Sequence, residues 1–526
     1  MKRTMIFQRG LGLKRTPRLW SHTLVNSIMA GALPVARVGS RTARTSFVQP
    51  SPTPLALVAL LSILALAPAQ AQVTDVTWNR QAFGQTFQCP PPRDGVSYGW
   101  PNNSNWSQSE TFGDVCSIGV SLRTGPSNWS TPNYPNGLNY NAILGRQGGS
   151  FANLDVRVTL NGLTILSDGG LNMQFGTSIT AHAFDFQGDG GILVGGGGGA
   201  WPGLTLAGGG TMTKSGGAGI FALDPGIQLS STDGTIAVNS GTLELPGNGS
   251  RLRDVTLNVA AEATLNLVPQ NQEVRFAGRL TGEGEGTVLW NRGRLIGESA
   301  TFDLPYPLFQ WTGGQMEGTL TNANAMTISG SGGVGLAGVL SNAGFILHTD
   351  SASLGINWGQ RFQNLEWGVY YLYGDGSIVI GGGGGAWPQF ENAGLLIKGG
   401  GTGNSRVDVP FVNRPGGSIE VDSGQLSLAR GDYVQGGGAL TIALGGRGAG
   451  EFGQLIVAER ASLDGPLNVF LMGDFVPEIG DQFQILSSVG LSGTFSELNV
   501  PPGISVEYRG NGVFLVVADA APAQVR

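Results

Sequence analysis

The chain is short of charge. Only 13% of its 526 residues are Asp, Glu, Lys or Arg, about half of the usual ~25%. Lysine is scarcest: beyond residue 71 the only two are Lys214 and Lys398. Nine of the 30 basic residues and none of the 36 acidic ones lie in 1–71, so the remainder carries 21 basic against 36 acidic residues, a net charge of −15. Nucleic-acid binding needs a basic footprint that releases phosphate counterions, and an anionic membrane surface needs a polybasic stretch. The balance argues against both partners.

Cysteine and histidine are nearly absent. Past residue 71 there are Cys89, Cys116, His182 and His348, too few for a dedicated metal cluster, and no cofactor is expected. No Gly-x-Ser-x-Gly elbow occurs, and a Ser-His-Asp set would have to use His182 or His348; turn or ladder histidines are the plainer reading. Lys214 follows Thr213, whereas a phosphate loop needs Gly-Lys-Ser/Thr. The Gly-Gly-x-Gly-x-Asp calcium nonapeptide is missing too, since Gly195–Gly199 runs into Ala200 and Trp201. Asp189 and Asp375, in repeated Gly-Asp-Gly segments, read more simply as turn formers. After residue 71 no apolar period of 3.6 is sustained, which speaks against helices.

What is plentiful is glycine, 88 residues, beside 40% hydrophobic residues. Many short strands joined by tight turns would use both. Residues 1–71 read as an export leader: a basic stretch, an apolar run from Leu55 to Ala67 and a small-x-small site at Ala69-Gln70-Ala71. Cleavage is expected after Ala71; the basic stretch is long, and Met29 offers a second start. The apolar run is too short to span a bilayer, no transmembrane segment is expected in the mature chain, and no Cys follows the cleavage site to take a lipid. An exported chain meets oxidising conditions, so Cys89 and Cys116 are expected to form a disulfide. Residues 72–150, rich in Pro, Asn, Ser and Trp, read as a loop-rich N-terminal cap around it, packed by Trp106 and Trp129.

From 151 the pattern changes to short alternations. Ile236, Val238, Leu243 and Leu245 form one set; Leu257, Val259, Leu265 and Leu267 a second; Ile419, Val421, Leu426 and Leu428 a third. Period two puts each set on one face of a strand. Strands this short, split by Asn-Ser-Gly or Asp-Ser-Gly turns, suit coils that stack on one another. The array is also internally duplicated over about 188–245 and 374–428. GDGGILVGGGGGAWP at 188–202 matches GDGSIVIGGGGGAWP at 374–388, and Lys214 and Lys398 fall in the same duplicated stretch. The expectation is an all-β parallel β-helix (solenoid) over 151–444, about a dozen coils, with N-terminal and C-terminal β-rich caps, the latter over 445–526.

The tail resembles the segment that ends the solenoid in autotransporter-passenger-like and adhesin-like β-helix surface proteins of Gram-negative bacteria. The residues that carry the likeness are Gln454 to Val457, Leu463 to Val469, Gly480 to Leu486, Gly493 to Phe495 and Pro501 to Gly503. The Asn-Trp-Ser segment at 128–130 followed by Val158 to Ile165, and Phe309 to Met316, are similar to other parts of such chains. The resemblance implies display at the cell surface and adhesion. It departs at the C-terminus, where the translocator barrel of those proteins has no counterpart before Arg526.

Two chemistries remain to be weighed. Glycan cleavage would need two carboxylates on neighbouring coils, drawn from Asp185, Asp189, Glu283, Glu285, Asp303 and Glu366, most of which read as solvated turn residues. Glycan or protein contact would use aromatics: Trp358, Trp367, Tyr370, Tyr371 and Tyr373 crowd into sixteen residues, although a core or cap cluster is the plainer reading. Trp201 and Trp387, at equivalent repeat positions, read as structural wedges. The function expected is a non-catalytic secreted or surface-exposed, adhesin-like structural protein, located outside the cell or on its outer surface, with the periplasm as a second location. Its partners would be glycans or other surface and matrix proteins. The alternative is a polysaccharide-degrading or glycan-binding β-helix protein.

Overall fold

A computed structural model describes residues 74–78, 137–144 and 152–518, apart from 168, 269–271 and 350. The leader, Cys89 and Cys116 with their expected disulfide, and Trp106 and Trp129 lie outside these residues. Every regular element described is a β-strand, in sheets of 24, 16 and three strands. Pairing between strands is parallel except where the C-terminal hairpin joins. The chain is a parallel β-solenoid.

One strand per coil goes to the 16-stranded sheet, and fourteen of its strands lie between 152 and 444. Successive rungs of that sheet are separated by as few as 17 residues (Gln310 to Thr327) and as many as 31 (Gly191 to Ala222). The 24-stranded sheet supplies two further faces. Glu273–Glu283 pairs with Ser250–Arg253 through its first half and with Thr256–Val259 through its second. The turn between the halves is a register shift at Ala277/Arg279, where Gly278 takes φ 66°, a conformation open to glycine but costly for residues with a Cβ. In the next coil Ser299 takes φ 56° at this corner, and Gly297, Gly318 and Gly338 stand in register just ahead of it. A Cβ on Gly338 would collide with the Gly318 carbonyl oxygen.

The alternating sets behave as their period requires. Ile236 and Leu257 are partners on adjacent rungs, as are Val238 and Val259 and Leu243 and Leu265, and all are at most 1% exposed. The duplicated segment, however, does not return to the same face. Lys214 pairs with Val238 in the 24-stranded sheet, while Lys398 pairs with Val421 in the 16-stranded one. Leu243 lies in the 16-stranded sheet and Leu426 in the 24-stranded one. The second copy is therefore set one face further round the coil. Each face demands the same inward alternation, so the sequence fits either.

The core is built from like residues in register. Trp290 and Trp311 stack at 4.6 Å with planes 8° apart. Phe362, Phe390 and Phe411 form a stack over three rungs, and Phe186 lies 4.1 Å from Phe221. An asparagine ladder lines one inner corner. Asn322 donates to Asn342, Asn342 to Asn364, Asn364 to Asn392 and Asn392 to Asn413, at 2.8–3.0 Å. Each of the first four amides also donates to the carbonyl of a residue that opens a following strand, Phe345, Val369, Leu395 and Ser418 in turn. The first four side chains are at most 1% exposed, so this chain of bonds satisfies polar groups that water cannot reach.

Parallel pairing does not stop at 444: it runs on until Pro466–Leu471 meets Glu497–Asn499. There Ile504–Arg509 and Gly512–Val517 form an antiparallel hairpin whose second strand also pairs antiparallel with Gln482–Ser487. The Phe495 amide donates to Tyr508 Oη at 3.0 Å, fastening the hairpin to the last coil. A reversed hairpin occupies the open edge that would otherwise recruit another strand. At the other end, Thr74–Trp78 pairs in parallel with Gly137–Leu144, and that strand with Arg157–Ile165.

Candidate functional site

The five clustered aromatics are separated by the coil. Tyr370 points inward and is fully buried; its hydroxyl shares a hydrogen bond with His348 Nδ1 at 2.9 Å. His348 Nε2 donates to the Ala352 carbonyl at 3.0 Å, and the ring is fully buried. His182 is exposed. Tyr371 points outward but is only 7% exposed; its hydroxyl and Asp422 Oδ2 both lie over Gly399, where a Cβ would stand 2.9 Å from each. Tyr373 packs edge-on against Tyr371 and is 42% exposed. Trp367 projects from a turn with 85% of its surface in solvent.

Trp358 belongs to a different group. Its ring lies 4.5 Å from that of Trp387, and the Arg430 guanidinium caps Trp387 at 4.8 Å. The first copy of the repeat builds the same ledge with Phe175 beneath Trp201, 4.9 Å apart. In both copies the Ala-Trp-Pro turn is pinned by its alanine carbonyl, Ala200 to the Gly176 amide and Ala386 to the Gly359 amide. Trp201 and Trp387 keep 46% and 48% of their surface exposed. They are wedges on one side and open indole on the other.

The acidic candidates lie along the outer faces. Asp185 is held by Gln187 and Ser215. Asp185 and Glu283 share an outward column but are four rungs apart through Thr213, Ala237 and Asn258, roughly 19 Å at ~4.8 Å per rung. Glu283 and Asp303 come closer, on adjacent rungs two positions out of register, and Asp303 is bonded to Arg279 and Asn324. Glu366 sits in the exposed turn beside Trp367, and Glu285 is exposed. Asp189 and Asp375 have a structural partner that sequence reading did not connect to them: the two lysines. Lys214 Nζ, fully buried, meets Asp189 at 3.1 Å and donates to the Gly216 and Gly217 carbonyls. Lys398 does the same with Asp375 at 3.3 Å and Gly401. Burial pushes the Lys398 ammonium down, and Asp375 opposes it. The signal was the shared spacing of Gly-Asp-Gly and Lys in both copies.

Glu420 also escaped the sequence reading. It points outward between Ile419 and Val421 yet is 5% exposed. Burial and the neighbouring Asp422 push its carboxyl up to about 8 from an ordinary 4.5. An acid with a raised native pKa binds its proton more tightly folded than unfolded. Its stabilising contribution is thus present below pH 4.5 and is lost as pH rises towards 8. The Glu420→Gln variant is expected to unfold with the wild type at pH 4 and at higher denaturant than the wild type at pH 8.5. An equal offset at both values would show that the carboxyl does not titrate there.

No three described His, Cys, Asp or Glu side chains stand close enough together to hold a metal ion. No helix among the described residues is long and apolar enough to cross a membrane. No protein-family model matches the chain, and no curated protein matches it; what the geometry supports on its own is a parallel β-solenoid with open aromatic ledges.

Proposed function

We propose that the protein is a non-catalytic, exported β-solenoid that works by contact at the cell surface, as an adhesin-like or coat-forming component. The observation that carries this reading is Trp367. It sits at φ 72° in a turn closed by the Gly368 amide on the Leu365 carbonyl at 2.8 Å, the position that glycine normally fills. Two rungs on, the matching turn Arg414 to Gly417 has Gly416 there, at φ 85°. A left-handed conformation costs a residue with a Cβ about 1–2 kcal/mol, and an exposed indole recovers none of it by burial. Stability does not account for tryptophan at 367, whereas a contact surface does, because aromatic side chains anchor sugars and protein partners.

Asp185 and Glu283 stand four rungs apart and Asp303 is tied to Arg279 and Asn324, which favours the same reading over polysaccharide cleavage by paired carboxyls ~5–9.5 Å apart. The test is one variant and two assays. Trp367→Gly is expected to keep the wild-type unfolding midpoint, or raise it, and to lose at least half of the protein's retention on a glycan array or on intact cells. Release of reducing ends from any bound glycan by the wild type would overturn the non-catalytic reading. Unchanged retention of Trp367→Gly would remove Trp367 as its basis.

A further inference from the structure

An open cleft of about 680 Å³ lies on the outer face of the coils that contain Ser250–Arg253, Glu273–Glu283 and Arg294–Asp303. Its walls carry no apolar side chain: Arg251, Gln272, Glu273, Arg275 and Arg294 dominate, with Asn248 at one end. A cleft so lined has nothing to offer a lipid or an apolar peptide side chain. Within a chain of strongly acidic balance it gathers three guanidinium groups around one carboxylate.

Two of the three are already engaged. Arg275 meets Glu273 at 2.9 Å and Glu298 at 3.3 Å, and Arg294 bonds the other oxygen of Glu273 and reaches Glu317 at 3.4 Å. Arg251 makes no ion pair or hydrogen bond through its guanidinium among the described residues, and it is exposed. It also stands in direct register with Arg275 on the next rung. Like charges placed opposite each other in a sheet are destabilising, so folding does not explain the pair.

We infer that this cleft binds an acidic polysaccharide segment through one carboxylate. The Arg251 fork takes the planar carboxylate through two parallel N–H donors, the geometry in which guanidinium exceeds ammonium. Glu273, held between two arginines, is neutralised and does not repel the ligand. The site names a ligand class for the contact function proposed above and rests on that reading only in being a binding site without turnover.

The test uses the purified chain and three probes: oligogalacturonate, its methyl ester and dextran sulfate. Oligogalacturonate is expected to bind at least tenfold more tightly than the ester, which keeps the sugar and loses the charge, and more tightly than dextran sulfate. Arg251→Gln is expected to lose at least tenfold on oligogalacturonate. Arg253→Gln, which removes the same charge from the same strand outside the cleft, is expected to bind as the wild type. Equal losses in the two variants, equal binding of the ester, or dextran sulfate binding as tightly would each overturn the carboxylate site. A reducing-end assay in the same tubes separates the two claims. No binding sinks the cleft and leaves the contact reading standing, whereas chain cleavage sinks that reading whatever the affinity.

Discussion

Replacing Asn364 with leucine will cost about 3–5 kcal/mol and shift the denaturant midpoint further than any other single change in the asparagine ladder. The Asn364 amide donates to Asn392 Oδ1 and to the Gly368 and Leu395 carbonyls, and its Oδ1 accepts from Asn342. Leucine is close in volume, so the loss is not a cavity. It comes from leaving Asn392 Oδ1 and one of the two Asn342 Nδ2 hydrogens without a partner in a corner that water does not enter, at ~1–3 kcal/mol for each orphaned group. The end of the ladder provides the control. Among the described residues Asn322 Oδ1 already has no partner, and its amide serves only Asn342 and Phe345. Asn322→Leu should therefore cost about 1–2 kcal/mol. Urea unfolding of both variants checks the difference. Equal midpoints would mean that position in the ladder carries no energetic weight and that the bonds act independently of one another.

Truncating Trp311 to alanine will be comparably severe, about 3–5 kcal/mol, because it removes a fully buried indole and leaves a cavity beside Trp290. The more discriminating change is to phenylalanine. Trp290 Nε1 donates to the Arg292 carbonyl at 2.9 Å, whereas Trp311 Nε1 is buried with no acceptor among the described residues. Trp311→Phe gives up part of the stacked area but also removes a stranded N–H, whose burial costs ~1–3 kcal/mol. It should fall within about 1 kcal/mol of the wild type. Trp290→Phe loses area, a satisfied donor and the bond itself, and leaves the Arg292 carbonyl short of a partner, so it should cost at least ~2 kcal/mol more than its neighbour. Two tryptophans stacked at 4.6 Å with opposite responses to one substitution would be hard to obtain from burial alone. If the two phenylalanine variants are equally stable, the missing acceptor at Trp311 has no energetic meaning.

These two cases also show where sequence reading stops. Trp311 and its neighbours are plainly inward from their alternation, but nothing in Phe309 to Met316 says that Trp290 is the residue it stacks on. The asparagines that make the ladder recur at separations of 20, 22, 28 and 21 residues. An interval that irregular does not stand out as a period, so each reads as an ordinary turn residue. Trp358, Trp367, Tyr370, Tyr371 and Tyr373 are neighbours in the chain, but a coil sends Tyr370 to the core, Trp358 to a ledge with Trp387 and Trp367 into solvent. Conversely, Arg251, Gln272 and Arg294 are far apart in sequence and share one cleft. The two lysines were visible as repeat-matched singletons, and so were Asp189 and Asp375. What joined them was the return of the chain after one coil.

The local pattern decides that this chain forms short strands with one buried edge and one open edge, because whether a side chain faces in or out depends only on its immediate neighbours along a pleated backbone. Glycine and asparagine decide where those strands turn, for the same local reason. Which strand lies above which was decided only in three dimensions. It depends on coil lengths that vary from 17 to 31 residues, each offset adding to the last. A duplicated segment can thereby land one face away from its twin with every inward residue still inward. Ladders, ledges and the arginine cleft all follow from that accumulated register, to which no single stretch of sequence is sensitive.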